Sequence, residues 1–274
     1  MMRTRHNLVL LITCLISMWL SAADVADLKS ADPIARATAA RELGGKGDRA
    51  AVPMLTPLLD DGTSYVVLAA LTALGDIGDE TAVPAIEKAV GHGNFAVRTA
   101  AIAQMGRIGG KSAAGNLLEI YRGPKSTDPK ERAQEQLIAV RALKSCPDPK
   151  VVDALIQSEM KNPAVSDAVK RELCINAGLT GDRQYAPMLT GLLGGESVPI
   201  LCGAAEGLAY LGDNAGIDKM IERLPAIRDF DEARPIRITL AQLTGQPIWH
   251  AKQWADWWQR NRATFRVTRA NEKR

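Results

Sequence analysis

The chain has 274 residues, of which 46% are hydrophobic and only 4% aromatic, and its formal net charge is +3 at pH 7. Arg3 and Arg5 carry two of those charges, so the remainder of the chain is close to neutral. This balance excludes the basic footprint of a dedicated nucleic-acid-binding protein. The sequence has no metal-ligand spacing, P-loop, nucleophile elbow or dinucleotide fingerprint, and we therefore predict a non-enzyme with no catalytic, cofactor or metal site.

The first segment, residues 1–23, has the pattern of a secretory signal peptide. A basic start is followed by an apolar run over residues 8–20 and by small residues just before Asp24. The run is shorter than the roughly 20 residues that a helix needs to span a bilayer. We expect cleavage before Asp24 and an exported bacterial-type protein, periplasmic or secreted. A membrane anchor formed by the uncleaved segment and a lipoprotein modified at Cys14 are the alternatives.

Residues 24–248 carry an internal repeat that is marked by turn residues. These are Gly47, Gly78, Gly109, Pro147, Gly181, Gly212 and Gly245, at intervals of about 31 to 38 residues. Asp or Gln follows most of them directly. Because Gly can end a helix in the left-handed conformation and Asp can cap the next helix, each turn predicts a boundary between two helices.

Apolar residues recur at five, eight and twelve positions after the first six turn residues, as Val83, Ile86 and Val90 do after Gly78, although Glu159 interrupts the pattern in the fourth unit. This spacing places them on one face of a helix. One helix pair cannot bury its own apolar face, so neighbouring pairs must stack. We predict an all-α, right-handed α-solenoid of about six helix pairs.

An insertion over residues 123–130 (GPKSTDPK) lengthens the interval between the third and fourth turns. Insertions in repeat proteins usually lie at one edge of the stack. The segment is either a tolerated surface loop or a lip for a bound partner.

Residues 249–274 differ from the repeats, because they hold Trp249, Trp254, Trp257 and Trp258 and end in a basic tail. The last three tryptophans share one helix face. A stack of repeats needs an atypical end to cover its last apolar face, so we predict a Trp-rich capping helix. A platform for an aromatic ligand is the alternative. Only the basic tail or an uncleaved signal peptide would contact a membrane.

Three cysteines follow the signal segment: Cys146, Cys174 and Cys202. Free cysteine is usually a small buried residue, and we predict that role for all three. Cys174 and Cys202 fall in first helices of adjacent repeats, so a disulfide between them stays open.

The repeat resembles the HEAT-repeat family, in the short variant known as phycobilisome-lyase-type HEAT-like repeats. The resemblance rests on Asp32–Arg36 and Asn94–Arg98 at the starts of first helices, on the turn Leu74–Gly78, and on Ala82–Ile86 at the start of a second helix. It extends over roughly residues 30–245. It implies that the second helices line the concave side. It also makes an enzyme or enzyme subunit of the bilin-lyase type the alternative function.

A polar stripe runs along the second helices, opposite the apolar one. The residues that we predict to bind a partner there are Lys88, His92, Asn116, Glu119, Gln157, Lys161, Lys219 and Glu222. The stripe is mixed in charge, which suits a protein or peptide better than a polyanion. The sequence therefore favours a non-catalytic protein–protein interaction scaffold in the cell envelope.

Overall fold

The structure of the protein is a computed structural model that describes residues 25–267. The predicted signal peptide, its cleavage before Asp24 and the end of the basic tail lie outside the described residues.

First and second helices alternate along the chain, and residues 25–267 contain no strand. The first helices are α1 (Pro33–Lys46), α3 (Ser64–Ile77), α5 (Phe95–Ile108), α7 (Pro129–Ala142), α9 (Asp167–Leu179), α11 (Val198–Tyr210) and α13 (Phe230–Thr244). The second helices are α2 (Val52–Leu55), α4 (Val83–Ala89), α6 (Gly110–Arg122), α8 (Pro149–Glu159), α10 (Ala186–Leu192), α12 (Ala215–Arg223) and α14 (Ala251–Asn261). The all-α repeat fold predicted from the sequence is confirmed, and α13 with α14 makes the last pair.

The six predicted turn glycines lie at or just after the ends of first helices, whereas α7 already ends at Ala142, before the predicted turn residue Pro147. Gly47 and Gly78 adopt φ values of 66° and 68°, and all six turn glycines have positive φ. The Asp48 carboxylate accepts a hydrogen bond from the backbone N–H of Ala50 at 2.9 Å, and so caps the 3-10 helix Arg49–Ala51 that leads into α2. Glycine is needed at these turns because a side chain at positive φ is strained.

The predicted apolar stripe of the second helices forms the core. On α4, Val83 and Ile86 are fully buried, and Val90 is buried just after it. The same spacing buries the equivalent residues of the other second helices, with Glu159 and Ala186 only half-buried. The alanine-rich first helices approach closely: a Cβ added at Gly44 of α1 would lie 2.5 Å from the Ala73 Cα of α3.

The chain divides into two compact units, one ending at Ser145 and the other beginning at Cys146. In the first unit α1, α3, α5 and α7 pack in sequence, each on the next. In the second unit α9, α11 and α13 do the same. A search of residues 25–267 finds no helix with the length and apolar character that crossing a bilayer requires.

The Trp-rich helix α14 packs on α12 and covers the end of the second unit's core. Trp254 is fully buried, and Trp258 is 5% exposed while its indole N–H donates to Asp218 at 2.7 Å. Trp249 differs from the prediction, since 56% of its surface is exposed. The reason is that α14 begins only at Ala251, so Trp249 lies in the preceding connection and does not follow the helical spacing of the other three.

Cys146, Cys174 and Cys202 are buried side chains of the second unit. Burial raises the pKa of Cys174 to about 12 and that of Cys202 to about 11. The thiolate is the reactive form, so burial and the raised pKa values disfavour reactions of both sulfurs in the folded protein.

Candidate functional site

The outer side of α4 presents Lys88, the first of the predicted binding residues. The helix buries Val83 and Ile86, and its period of 3.6 residues therefore turns Glu87 and Lys88 toward solvent. Both side chains are exposed. The same apolar spacing that builds the core thus fixes the direction of the polar stripe.

Helix α6 presents the next two predicted residues in the same way. Burial of Ala114 and Leu117 leaves Asn116 half-buried and Glu119 exposed. Because α6 packs beside α4, the polar sides of the two helices adjoin.

Between them lies a concavity of about 850 Å³, which we call the second-helix groove. Its lining includes Lys88, Asn116, Glu119, Arg122, Gly123 and Lys125. Three predicted binding residues from two repeats therefore share one surface depression. Arg122 and Lys125 belong to it as well, although the repeat spacing did not select them.

The charges of the groove are only partly paired. Asn116 donates a hydrogen bond to the Glu87 carboxylate at 3.0 Å, and Arg122 lies 3.5 Å from the Glu119 carboxylate. The Lys88 ammonium group has neither a hydrogen bond nor an ion pair within residues 25–267. The groove thus offers an unpaired ammonium group beside two carboxylates that already have partners.

His92 lies in a smaller concavity of about 260 Å³ that shares Lys88 with the second-helix groove. Thr56 and Asp60, from the turn that follows α2, line its other side. The His92 Nδ1 accepts a hydrogen bond from the backbone N–H of Asn94 at 2.9 Å. The two concavities therefore adjoin at Lys88.

The insertion after α6 is fastened to the first unit by buried charges. Glu135 is fully buried, and its carboxylate accepts from the backbone N–H groups of Lys125 at 2.9 Å and Ser126 at 3.3 Å. Arg98 donates to Glu135 at 2.7 Å and to Glu131 at 2.6 Å. Since Gly123 and Lys125 line the second-helix groove, the insertion forms a fixed edge of it.

The remaining predicted residues lie in the second unit. Gln157 and Lys161 are exposed on α8 and just after it. Lys219 and Glu222 are exposed on α12, where they pair with each other at 2.6 Å. No hydrogen bond or ion pair within the described residues joins the α8 residues to the α12 residues. Their role in binding stays a prediction.

A surface that the sequence reasoning missed lies on α13 and the connection after it. Ile238, Ala241, Pro247, Ile248 and Trp249 line an apolar pocket of about 300 Å³ beside Arg237. The signal that could have revealed it is the position of Trp249, which does not share the helical spacing of Trp254, Trp257 and Trp258.

The described part of the chain places no group of three or more His, Cys, Asp or Glu side chains where they could hold a metal ion. Among the described residues, the groove therefore presents hydrogen-bond donors and acceptors together with the ammonium groups of Lys88 and Lys125, which form no ion pair.

The comparisons with known proteins concern the repeats. The family described as HEAT repeats matches residues 24–94 and 58–138. Curated protein sequences yield no match.

Among solved structures, the chain is similar to the complex of CpcE and CpcF of phycocyanin lyase from Nostoc sp. PCC7120, with 22% identity and a TM-score of 0.48 over 81% of this chain and 94% of that chain. It is also similar to an engineered protein, with 19% identity and a TM-score of 0.39 over 85% and 97% of the two chains. Human deoxyhypusine hydroxylase in complex with glycerol shares 17% identity and a TM-score of 0.31 over 88% and 84%. The match to HEAT repeats thus covers residues 24–138 of the chain.

Proposed function

We propose that the protein is a non-catalytic scaffold that binds a protein or peptide through the second-helix groove. The observation that carries this proposal is the meeting of Lys88, Asn116 and Glu119, which come from two repeats, on one open depression with a fixed edge. HEAT repeats commonly mediate protein–protein interaction, and an extended partner can contact several repeats at once.

The chemistry of the groove favours a protein over a polyanion. Lys88, Arg122 and Lys125 stand beside Glu87 and Glu119, so cations and anions alternate along the lining. A nucleic-acid site would be dominated by Lys and Arg that neutralise phosphates. A protein partner can instead match both signs, which fixes its register on the groove.

Site-specific photo-crosslinking in the producing cell tests the proposal. A photoreactive amino acid at Lys88 or Glu119 should capture the same protein, whereas one at Thr72, exposed on the first helix α3, should not. The charge-reversed double variant Lys88→Glu with Glu119→Lys should lower the affinity for that protein while the helix content is unchanged. The groove would be refuted as the binding surface if the crosslinker at Thr72 captured the same protein, or if none of the three positions captured a protein.

We further propose that the protein acts in the cell envelope after export. The support is the sequence pattern of residues 1–23 alone. Mass spectrometry of the protein from a periplasmic or culture fraction should give an N-terminus at or near Asp24. An intact Met1 in the membrane fraction would instead favour the anchored alternative.

An enzyme or enzyme subunit of the bilin-lyase type is the alternative function that the repeat resemblance suggests. A shared repeat fold transfers no activity by itself. Purification after co-expression with a bilin pathway separates the two functions, because a protein that handles bilin would carry visible absorbance and the scaffold would not.

A further inference from the structure

The first helices of the second unit form a series that ends at α13. Helix α11 packs on α9, and α13 packs on α11 through buried residues such as Ala233, Ile236 and Leu240. The cap helix α14 packs on α12, so it covers the side of the second helices. Within residues 25–267, no helix follows α13 on its outer side, where a further first helix would lie in a longer stack.

The outer side of α13 is apolar to an unusual degree for an exposed surface. Phe230, Ile238 and Trp249 are 58%, 43% and 56% exposed. They are three of the five large hydrophobic residues that are exposed among residues 25–267. The pocket of about 300 Å³ beside Ile238 and Trp249 has room for an apolar side chain. An exposed apolar cluster of this kind marks an interaction surface.

Arg237 borders this pocket in a fixed orientation. Its Nε donates to the Trp249 carbonyl at 2.9 Å, one terminal nitrogen donates to the Phe230 carbonyl at 3.0 Å, and the guanidinium lies 4.4 Å from the centre of the Phe230 ring. Its other terminal nitrogen makes no hydrogen bond within the described residues. Arg234, one turn earlier, is exposed and has no ion pair there either.

Elsewhere in the molecule, an arginine in the first turns of a first helix pairs with glutamates on the next first helix. Arg98 of α5 pairs with Glu131 and Glu135 of α7 at 2.6 and 2.7 Å. Arg171 of α9 pairs with Glu206 of α11. Arg234 is the fifth residue of α13, as Arg171 is of α9. It therefore occupies the equivalent position, but no following first helix supplies a glutamate to pair with it.

We propose that the outer face of α13 is the docking site for an amphipathic helix of a partner protein. The partner helix takes the place of a further first helix, inserts an apolar side chain beside Ile238 and Trp249, and presents carboxylates to Arg234 and Arg237. A second copy of this chain fits the face poorly, since a two-fold contact centred on Ile238 would bring the Arg237 side chains of both copies together. On the outer face of α13, Asp231 near its start is the one acidic side chain.

A pair of synthetic helical peptides tests the proposal. Both peptides have about 18 residues, enough to be helical when bound, and the same stripe of leucines at helical spacing. One carries glutamates at i and i+4 beside the stripe, as α7 does, and the other carries lysines at those positions. We expect the glutamate peptide to bind the full chain at least about tenfold more tightly than the lysine peptide, by fluorescence anisotropy.

Matched variants locate the binding. Arg234→Glu should weaken the glutamate peptide by at least about tenfold, whereas Arg132→Glu, the same charge reversal at an exposed position of α7, should change it by less than about twofold. The indole N–H signal of Trp249, assigned by its loss in Trp249→Phe, should shift in the nuclear magnetic resonance spectrum when the peptide binds. The Lys88→Glu, Glu119→Lys double variant should bind the peptide normally, which separates this face from the second-helix groove.

Three results would overturn the proposal. Equal affinity for the two peptides, or no binding of the glutamate peptide, would show that the face does not recognise an acidic amphipathic helix. A dimer in sedimentation equilibrium that Ile238→Asp converts to a monomer would show that a second copy of the chain covers the face.

Discussion

Ile86 and Lys88 stand two residues apart on α4, yet the first is fully buried and the second is exposed. Ile86→Asp places an unpaired carboxylate in the core and should lower the free energy of unfolding by at least about 3 kcal/mol. Lys88→Asp should change it by no more than about 0.5 kcal/mol. Urea denaturation followed by circular dichroism measures both. Equal losses would mean that α4 presents the other face to the core.

Asp61 gives the stability a defined dependence on pH. Arg36 donates hydrogen bonds to the Asp61 carboxylate at 2.7 and 3.0 Å, and with the backbone N–H of Thr63 it lowers the pKa of Asp61 below its usual value. Because the pKa is lower in the folded than in the unfolded chain, this stabilisation is present above about pH 4 and is lost as the pH falls through the folded pKa.

Asp61→Asn should therefore lower the melting temperature at pH 7, and the difference from the wild type should shrink as the pH falls below about 4. The control Asp60→Asn changes an exposed neighbour. It should lower the melting temperature less, and by the same amount at pH 7 as below about pH 4. A constant difference for Asp61→Asn across this range would show that the pair with Arg36 does not stabilise the fold.

Glu135 holds the insertion after α6 through the amides of Lys125 and Ser126, and Glu131 adds a hydrogen bond from the Ser126 hydroxyl. Glu135→Ala removes the carboxylate that accepts hydrogen bonds from the buried Arg98 side chain and from the backbone amides of Lys125 and Ser126. We expect a loss of about 3 kcal/mol or more in the free energy of unfolding, and faster hydrogen exchange at those two amides. Gln134→Ala, the exposed neighbour, should leave exchange unchanged. Protection that persists in Glu135→Ala would mean that other contacts hold the insertion.

The cap helix can be separated from the exposed tryptophan by two substitutions. Trp254 is fully buried and Trp249 is 56% exposed. Trp254→Ala should therefore cost about 3 to 5 kcal/mol, whereas Trp249→Ala should cost no more than about 0.5 kcal/mol. Truncation after Gln246 removes both and should destabilise the second unit. A comparable loss for the two single variants, measured by thermal melting, would place Trp249 in the cap after all.

At the level of elements, the sequence predicted those turns and buried helix faces that depend only on neighbouring residues. Gly78 followed by Asp79 predicted a turn, and Val83 with Ile86 predicted the buried side of α4, since both depend only on neighbouring residues. The role of the insertion was left open, because its attachment requires Glu135 to be buried against Arg98, far away in the sequence. Trp249 belongs to the Trp-rich segment but not to the capping helix, because composition does not show that the helix begins only at Ala251.

For the whole molecule, the polar stripe on the second helices could be predicted but not which parts of it form a groove. Lys88, Asn116 and Glu119 share a depression because α4 and α6 adjoin and the insertion closes one side. Lys219 and Glu222 neutralise each other on α12 instead. Such pairing depends on side-chain positions that repeat spacing does not specify. Exposed residues at equivalent positions can therefore be an open site in one unit and a closed ion pair in the other.

The burial of the cysteines has a practical consequence. Among residues 25–267, every Cys and every Trp belongs to the second unit, and the three thiols are buried. Intrinsic tryptophan fluorescence of the described residues therefore reports on that unit, because the groove-bearing unit contains no tryptophan among them. The same burial makes Lys88→Cys a selective handle: its thiol would take up a maleimide dye at neutral pH while Cys146, Cys174 and Cys202 do not react. A partner entering the groove could then be observed without replacing Cys146, Cys174 or Cys202.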